Sequence, residues 1–265
     1  MSDKIRILVT GAKGLIGSNF ARYFQKLDGY EIEAIDRETS EGQIEEYLRD
    51  CDYIFNFAGV VQGDYNTLYE SNVEYAKRLI EKAVQVGNSH FNFIYISSRK
   101  VDTEPDCDYA KTKAEGEELV KKLAKKHKFP YFIYRLNNIF GERRVDVPLS
   151  VIEEFCLNAV QGLPCKVLSD SKREFDFTYV GDLIVEFEKF VDDDDKKIGL
   201  QKQMPAHRKS LGELKETIEH VAQRMRLGET RFDDKFEDRI SRVCKYYNKE
   251  KEKIKSCGRN EKGDL

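Results

Sequence analysis

The chain has 265 residues, of which 40% are hydrophobic and 35% are charged. This is enough apolar material for one sizeable core, or for a core domain with a smaller appendage. The formal net charge is only -3, so the charge balance gives no reason to expect nucleic acid or an anionic membrane as a partner, and we expect a small-molecule partner.

Apolar runs alternate with amphipathic stretches through the first two thirds of the chain. The alternation predicts strands at 5–10, 30–35, 53–58, 92–97 and 131–136, and helices at 15–27, 42–49, 65–86 and 109–127. This order is typical of a parallel sheet with helices on both faces. The predicted fold class is therefore α/β, a Rossmann-type doubly wound parallel sheet.

The pattern changes after residue 140. A helix that ends at Gly162 and Pro164 is followed by two strand-like runs, "CKVLSD" and "REFDFTYV". We expect a NAD(P)-binding domain at 1–140 and a smaller C-terminal substrate-binding lobe at 141–250, which also holds segments that complete the sheet. The charged tail at 251–265 is expected to be frayed.

The first predicted strand runs into the glycine turn "ILVTGAKGLIG", which contains Gly11, Gly14 and Gly17. In dinucleotide-binding folds such glycines allow a tight turn and close approach of the backbone to the pyrophosphate. The helix that begins at Leu15 and Ile16 offers free N–H groups and the positive end of a dipole to the phosphates. The turn predicts a dinucleotide site.

The second predicted strand ends in Asp36, nineteen residues beyond Gly17. An acid at this distance binds the ribose hydroxyls of NAD, whereas the neighbouring Arg37 suits the 2'-phosphate of NADP. These residues leave NADP(H) and NAD(H) open.

The sequence "YISSRKV" and the later "DYAKTKAEGEEL" contain the candidate catalytic residues. Tyr109 and Lys113 are four residues apart at the start of a predicted helix, so they share one face. A nearby ammonium is expected to move the pKa of the tyrosine from about 10 toward neutral pH. Ser98 ends the preceding strand, at the sheet edge where ligands bind.

The order of these parts carries a family resemblance. The glycine turn, the acid, "NFAG" at 56–59, "NV" at 72–73, the strand-end serine and Y-x-x-x-K follow one another as in extended short-chain dehydrogenase/reductases. Over residues 5–220 the chain resembles the NAD-dependent epimerase/dehydratase family. It looks most similar to the reductase domain of capsule-type UDP-2-acetamido-2,6-dideoxy-hexulose 4-reductases, on motifs such as "VTGAKGLIGSN", "YFIYRLNNIFGE" and "FDFTYVGDLI".

The resemblance implies a role for each motif. Ser98, Tyr109 and Lys113 would be the catalytic set, and the small Ala58 and Gly59 would leave room for the cofactor. Two further side chains would bind substrate: Asn138 would contact the sugar nucleotide, and Arg173 its diphosphate, with Arg143 and Arg144 as rivals.

The resemblance also implies a homodimer, because relatives pair two helices from each subunit. Here the helices at 65–86 and 109–127 would do so.

The predicted function is that of a nucleotide-sugar 4-ketoreductase in deoxysugar and polysaccharide biosynthesis. It would transfer hydride from NAD(P)H to C4 of a UDP-linked 4-keto-6-deoxy hexose, acetamido-substituted at C2. A 4-epimerase needs the same three residues and stays open, as does a non-catalytic dinucleotide sensor. A dehydratase needs carboxylates directly after the serine, where this sequence has Arg99 and Lys100.

The six cysteines show no C-x-x-C pairing and no metal-ligand spacing with the four histidines. We expect free thiols and no metal site. The N-terminus has no signal-type apolar segment, and no apolar run approaches the ~20 residues of a membrane span. A cytoplasmic location is the expectation.

Overall fold

A computed structural model describes residues 4–142, 150–201, 204 and 206–257, with side chains as far as residue 250. The chain divides into two compact units. The first comprises Met1–Asn137 and Ile184–Met204, and the second comprises Asn138–Leu183 and Pro205–Leu265. The domain boundaries that the sequence predicts at 140 and 250 stay a prediction.

The strands form two sheets. In chain order they are β1 (Ile5–Thr10), β2 (Tyr30–Ile35), β3 (Tyr53–Asn56), β4 (Asn92–Ser98), β5 (Tyr131–Leu136), β6 (Asn138–Phe140), β7 (Glu174–Tyr179), β8 (Gly199–Leu200) and β9 (His207–Ser210). The first unit holds a parallel six-stranded sheet in the order β2-β1-β3-β4-β5-β8. The order in which the chain adds strands reverses between β1 and β3, and this is the switch point at which such sheets bind ligands.

Ten α-helices connect the strands in the described part of the chain. They are α1 (Leu15–Phe24), α2 (Glu41–Asp50), α3 (Tyr65–Tyr69), α4 (Tyr75–Gln85), α5 (Lys100–Thr103), α6 (Asp108–His127), α7 (Val151–Gln161), α8 (Val180–Val191), α9 (Leu211–Arg226) and α10 (Lys235–Cys257). A π-helical turn, Glu70–Glu74, joins α3 to α4. No helix in these described ranges is long and apolar enough to cross a membrane.

The sheet of the first unit is buried on both faces. All four residues of β3 are buried, as are the last four of β1. On one face a cluster that includes Leu8, Ile54 and Phe93 packs with residues of α4 and α6. On the other face Phe20, Phe55 and Phe187 pack ring against ring. Burial on both sides explains why these strands are apolar at consecutive positions.

The second unit has a three-stranded sheet in the order β6-β7-β9, in which β6 and β7 are parallel and β9 is antiparallel. Helices α7, α9 and α10 pack against one another. Both α7 and α9 begin with a capping box, in which a serine and a glutamate satisfy the free N–H groups of the first turn.

The structure corrects two predicted elements. The helix predicted at 65–86 is interrupted by the π turn. The run "CKVLSD" forms no strand, because its exposed residues Lys166, Leu168, Ser169 and Asp170 pair with no neighbouring strand. Of the tail predicted at 251–265, the part up to Cys257 continues helix α10, and residues 258–265 lie outside the described residues.

Candidate active site

The glycine turn after β1 is tightly closed. Gly11 has a φ of 65°, and its carbonyl oxygen accepts a hydrogen bond from the Gly14 N–H at 2.8 Å. A Cβ atom on Gly17 would lie 2.4 Å from that same oxygen. Helix α1 begins directly after Gly14, and no side chain caps it. The turn therefore has the close approach and the free helix N-terminus that a dinucleotide pyrophosphate requires.

The acid after β2 is held by a lysine from the glycine turn. Lys13 Nζ lies 2.8 Å from an Asp36 carboxylate oxygen and 2.6 Å from a Glu38 carboxylate oxygen. The hydrogen bond to Lys13 and the one from the Glu38 backbone N–H lower the pKa of Asp36. Arg37 is exposed beside it. Two cations therefore lie at the position where the adenosine ribose of a dinucleotide would bind.

The segment after β3 approaches α6 closely. The Ala58 N–H donates to Thr10 Oγ1 at 3.0 Å. A Cβ atom on Gly59 would lie 2.7 Å from Asn72 Oδ1 and 3.2 Å from Lys113 Nζ. This position therefore requires a residue without a side chain.

Ser98, Tyr109 and Lys113 come together at the carboxyl end of β4. Ser98 is the last residue of the strand, and its side chain is hydrogen-bonded to that of Tyr109 in the first turn of α6. Lys113 lies one turn later and is 6% exposed. Its Nζ donates to the Ile96 carbonyl oxygen at 2.9 Å and lies 5.9 Å from the centre of the Tyr109 ring.

Burial shifts the pKa values of both catalytic candidates. Desolvation raises the pKa of Tyr109 to about 12, although the hydrogen bond to Ser98 lowers it. Desolvation lowers the pKa of Lys113 to about 8, and the carboxylate of Glu117 opposes that shift.

The pKa of Tyr109 differs from the sequence-based expectation of a value near neutral pH. The physical reason is that Lys113 is itself desolvated and bonds to a strand carbonyl, so the burial of the phenol dominates. In this state Tyr109 is a neutral phenol at pH 7 and can donate its proton.

The two predicted substrate contacts lie in the second unit. Asn138 begins β6, and its side-chain amide donates to the Asp176 carbonyl oxygen at 3.2 Å. The Arg173 guanidinium stacks on the ring of Phe175, 4.9 Å from its centre. The rival candidates Arg143 and Arg144 lie outside the described residues.

The two residues that follow Ser98 are cationic and engaged with acidic neighbours. Lys100 Nζ lies 2.7 Å from a Glu104 carboxylate oxygen, and Arg99 Nε lies 4.0 Å from one of Asp102. No carboxylate stands at either of these two positions.

Across the described ranges, no group of three or more His, Cys, Asp or Glu side chains could hold a metal ion. Cys51, Cys107, Cys156, Cys165 and Cys244 are free thiols.

Sequence reasoning missed two residues of this site. Asn72 in the π turn exchanges hydrogen bonds with the Val60 backbone and donates to Thr112 Oγ1 at 3.2 Å, so it ties the Gly59 segment to α6. It was recognised only as part of the "NV" motif. Lys13 was missed because its partners, Asp36 and Glu38, lie far along the chain. Its position inside the glycine turn was the sequence feature that could have indicated a role in the site.

Known proteins resemble this chain over most of its length. The NAD dependent epimerase/dehydratase family matches residues 7–198. A UDP-2-acetamido-2,6-beta-L-arabino-hexul-4-ose reductase from Pseudomonas aeruginosa is 30% identical over 216 residues, which are 81% of this chain and 57% of that protein. The chain thus spans little more than half the length of this relative.

Solved structures share the fold. The capsular polysaccharide assembling protein CapF from Staphylococcus aureus matches with a TM-score of 0.77 and 24% identity, over 91% of this chain and 64% of that one. A UDP-glucuronic acid 4-epimerase from Bacillus cereus, crystallised with NAD, matches with a TM-score of 0.76 and 18% identity, over 92% and 97%.

These matches confirm the predicted Rossmann-type fold, the nicotinamide dinucleotide cofactor and the class of NAD(P)-dependent short-chain dehydrogenase/reductases. The glycine turn, Asp36 and the Ser98–Tyr109–Lys113 cluster lie in one unit, and the chain belongs to the NAD-dependent epimerase/dehydratase family.

Proposed function

We propose that the chain is a nucleotide-sugar 4-ketoreductase. Its substrate would be a UDP-linked 4-keto-6-deoxy hexose with an acetamido group at C2, and NADPH or NADH its reductant. The observation that carries this proposal is a protonated phenol, Tyr109, hydrogen-bonded to the strand-end hydroxyl of Ser98 and backed by a buried ammonium on Lys113.

Each residue has one task in this reaction. When bound, the nicotinamide supplies the hydride for C4. Ser98 donates a hydrogen bond to the C4 carbonyl oxygen and so orients it. Tyr109 transfers its proton to the alkoxide oxygen that develops there. Lys113 binds the ribose hydroxyls of the cofactor, and its charge stabilises the phenolate that Tyr109 leaves behind.

The raised pKa of Tyr109 suits the proton donation that a reduction requires. A pKa of about 12 keeps the phenol neutral at neutral pH, so it can protonate the oxygen at C4. A 4-epimerase uses the same phenol first as base and then as acid, and net oxidation of the cofactor distinguishes the two reactions. The cations after Ser98 argue against a dehydratase, because Arg99 and Lys100 provide no acid or base of the required kind.

The identity of the substrate is inferred from the similarity of this chain to a relative. The relative from Pseudomonas aeruginosa is named for a UDP-linked 2-acetamido hexulose that it reduces at C4. The same chemistry at C4 needs only the three residues of the first unit. Asn138 and Arg173 remain the candidates for contacts to the sugar nucleotide and its diphosphate.

The test is to incubate the protein with a UDP-linked 4-keto-6-deoxy-2-acetamido hexose and reduced cofactor. A reductase oxidises one cofactor for each sugar reduced, which the loss of nicotinamide absorbance reports. With a 4-hydroxy UDP-sugar supplied in place of the 4-keto sugar, conversion between C4 epimers without net cofactor consumption would identify an epimerase instead. Cofactor binding without turnover of any 4-keto UDP-sugar would leave only a sensor.

We further propose that two copies of the chain pair through one groove of the first unit. The groove is lined by residues of α3, the π turn and α6, namely Tyr65, Asn66, Tyr69, Val73, Glu115, Glu118, Leu119 and Lys122. Its lining combines aromatic rings with charges of both signs, as a self-complementary surface needs. Light scattering should give twice the mass of the chain, and a monomer mass would contradict the pairing.

A further inference from the structure

A buried carboxylate lies beside the catalytic candidates without belonging to them. Glu117 on α6 is 2% exposed. Burying an ionised carboxylate is unfavourable unless it is paired and hydrogen-bonded. The hydrogen-bond partners of Glu117 therefore explain how its carboxylate is stabilised in the interior.

Both oxygens of Glu117 are engaged. Oε1 accepts from Ser97 Oγ at 2.6 Å and from Arg135 Nε at 2.8 Å, and Oε2 accepts from Arg135 Nη2 at 2.6 Å. Arg135 also donates through Nη1 to an Asp102 carboxylate oxygen at 2.6 Å. Such a bidentate pair fixes the orientation of both side chains as well as their distance.

The four members of this network come from four different elements. Ser97 directly precedes Ser98 in β4, and Arg135 on β5 is its register partner. Asp102 is on α5.

Three of these elements meet the catalytic candidates directly, because α6 carries Tyr109 and Lys113, β4 carries Ser98, and α5 contacts Ser98. Glu117 lies one helical turn after Lys113 and two turns after Tyr109, so it is on the same face of α6. On the other side, the Lys100 N–H at the start of α5 donates to Ser98 Oγ at 3.2 Å.

We propose that Glu117 and Arg135 are positioning residues, which hold the helix of Tyr109 and Lys113 in register with the strand end of Ser98. This inference rests on the proposed function in one respect, that the three residues act in catalysis. A buried ion pair adds little stability compared with apolar residues of similar volume. Its geometric constraint is therefore the property that a catalytic site would use.

Glu117 also sets the charge around Lys113. Among the described residues, the titratable groups that face Lys113 are Tyr95 on β4 and Tyr109 and Glu117 on α6. Of these only Glu117 is a carboxylate. It keeps the ammonium charged against the desolvation that favours its neutral form.

The experiment compares Glu117→Gln with Glu186→Gln. Glu186 is on α8, its side chain is 37% exposed, and it pairs with Lys189 at 2.7 Å, so it is the control for loss of a paired carboxylate outside the site. For Glu117→Gln we expect kcat to fall about 10- to 100-fold, with the KM for the cofactor little changed. Glu186→Gln should match the wild type.

A second readout does not depend on turnover. The pKa of Lys113 can be followed by NMR in protein labelled with ¹³C-lysine, with the signal assigned by its absence from Lys113→Met. Glu117→Gln should lower this pKa by about one unit. If no substrate is turned over by the wild type, the proposed function fails, but the Lys113 titration still tests whether Glu117 acts on the Lys113 ammonium.

A double variant tests the proposal even if Glu117→Gln fails to fold. Glu117→Leu with Arg135→Met replaces the pair by apolar side chains and leaves no buried charge alone. We expect it to fold, to show the same loss of kcat and to have a lowered Lys113 pKa. A folded single or double variant with wild-type kcat would overturn the proposal, and so would an unchanged Lys113 pKa in Glu117→Gln.

Discussion

The ammonium of Lys113 donates to the carbonyl oxygen of Ile96 over 2.9 Å, so the strand that ends at Ser98 fixes this lysine directly. Because the ammonium is buried there, its pKa falls to about 8, below the ordinary value of 10.5. We therefore expect Lys113 to lower the free energy of unfolding, although the proposed reaction needs it.

Replacing Lys113 by Met should stabilise the cofactor-free protein at pH 7. The folded-state pKa lies below the unfolded one, so at pH 7 both states are protonated and the full penalty of the buried charge applies. Its removal should raise the free energy of unfolding by about 1–3 kcal/mol, reduced by the lost bond to Ile96.

Urea unfolding measures this effect, with the exposed Lys125→Met on the same helix as control. In the wild type, stability should rise between pH 8 and 10.5, because the unfolded state then binds more protons than the folded one. The Lys113 variant should lack this rise. A variant that is less stable than the wild type at pH 7 would contradict the assignment of a desolvated ammonium.

Replacing Tyr109 by Phe should separate binding from chemistry. The ring keeps its packing, but the proton donor is lost, so kcat should fall by about 10²–10⁴-fold. Cofactor affinity, measured by nicotinamide fluorescence, should change little. Turnover close to that of the wild type would remove Tyr109 from the reaction.

Replacing Gly17 by Ala should disrupt the cofactor turn. The new Cβ would lie 2.4 Å from the Gly11 carbonyl oxygen, so the turn must open. We expect the free energy of unfolding to fall by about 1–3 kcal/mol and the affinity for the cofactor to fall at least tenfold.

Gly42→Ala is the matched control, because a Cβ there meets no atom within 4 Å. Gly42 lies in α2, so alanine should leave the stability unchanged or raise it by up to about 1 kcal/mol. Equal effects of the two substitutions would show that Gly17 has no special role.

Lys13 should favour NADPH over NADH. Its ammonium neutralises Asp36, which would otherwise repel a 2'-phosphate on the adenosine ribose. In Lys13→Ala we expect the affinity for NADPH to fall about tenfold more than that for NADH. Lys26→Ala, an exposed lysine just beyond the other end of α1, is the control. Equal losses for both cofactors would contradict this role.

The sequence predicted the parts of the site that depend on local order. Strand, glycine turn and helix are contiguous, and Tyr109 and Lys113 are one turn apart, so periodicity alone brings them together. Pairings between distant segments were not predictable in this way. Lys13 meets Asp36, and Glu117 meets Arg135, only after the parallel strands have set their register.

The pKa of Tyr109 was also beyond the sequence. Spacing indicates that a lysine is near, but the balance between its charge and the desolvation of the phenol depends on burial in three dimensions. The sequence also did not predict the π turn at Glu70–Glu74, because the residues on both sides of it keep a helical pattern.

The most direct test of the central claim is to supply cofactor that carries deuterium at C4 of the reduced nicotinamide, together with a UDP-linked 4-keto-6-deoxy-2-acetamido hexose, and to analyse the product by NMR. A 4-ketoreductase should give one sugar with deuterium at C4 for each cofactor oxidised. Recovery of the 4-keto sugar unchanged, with no deuterium at C4 and no oxidised cofactor, would contradict the account.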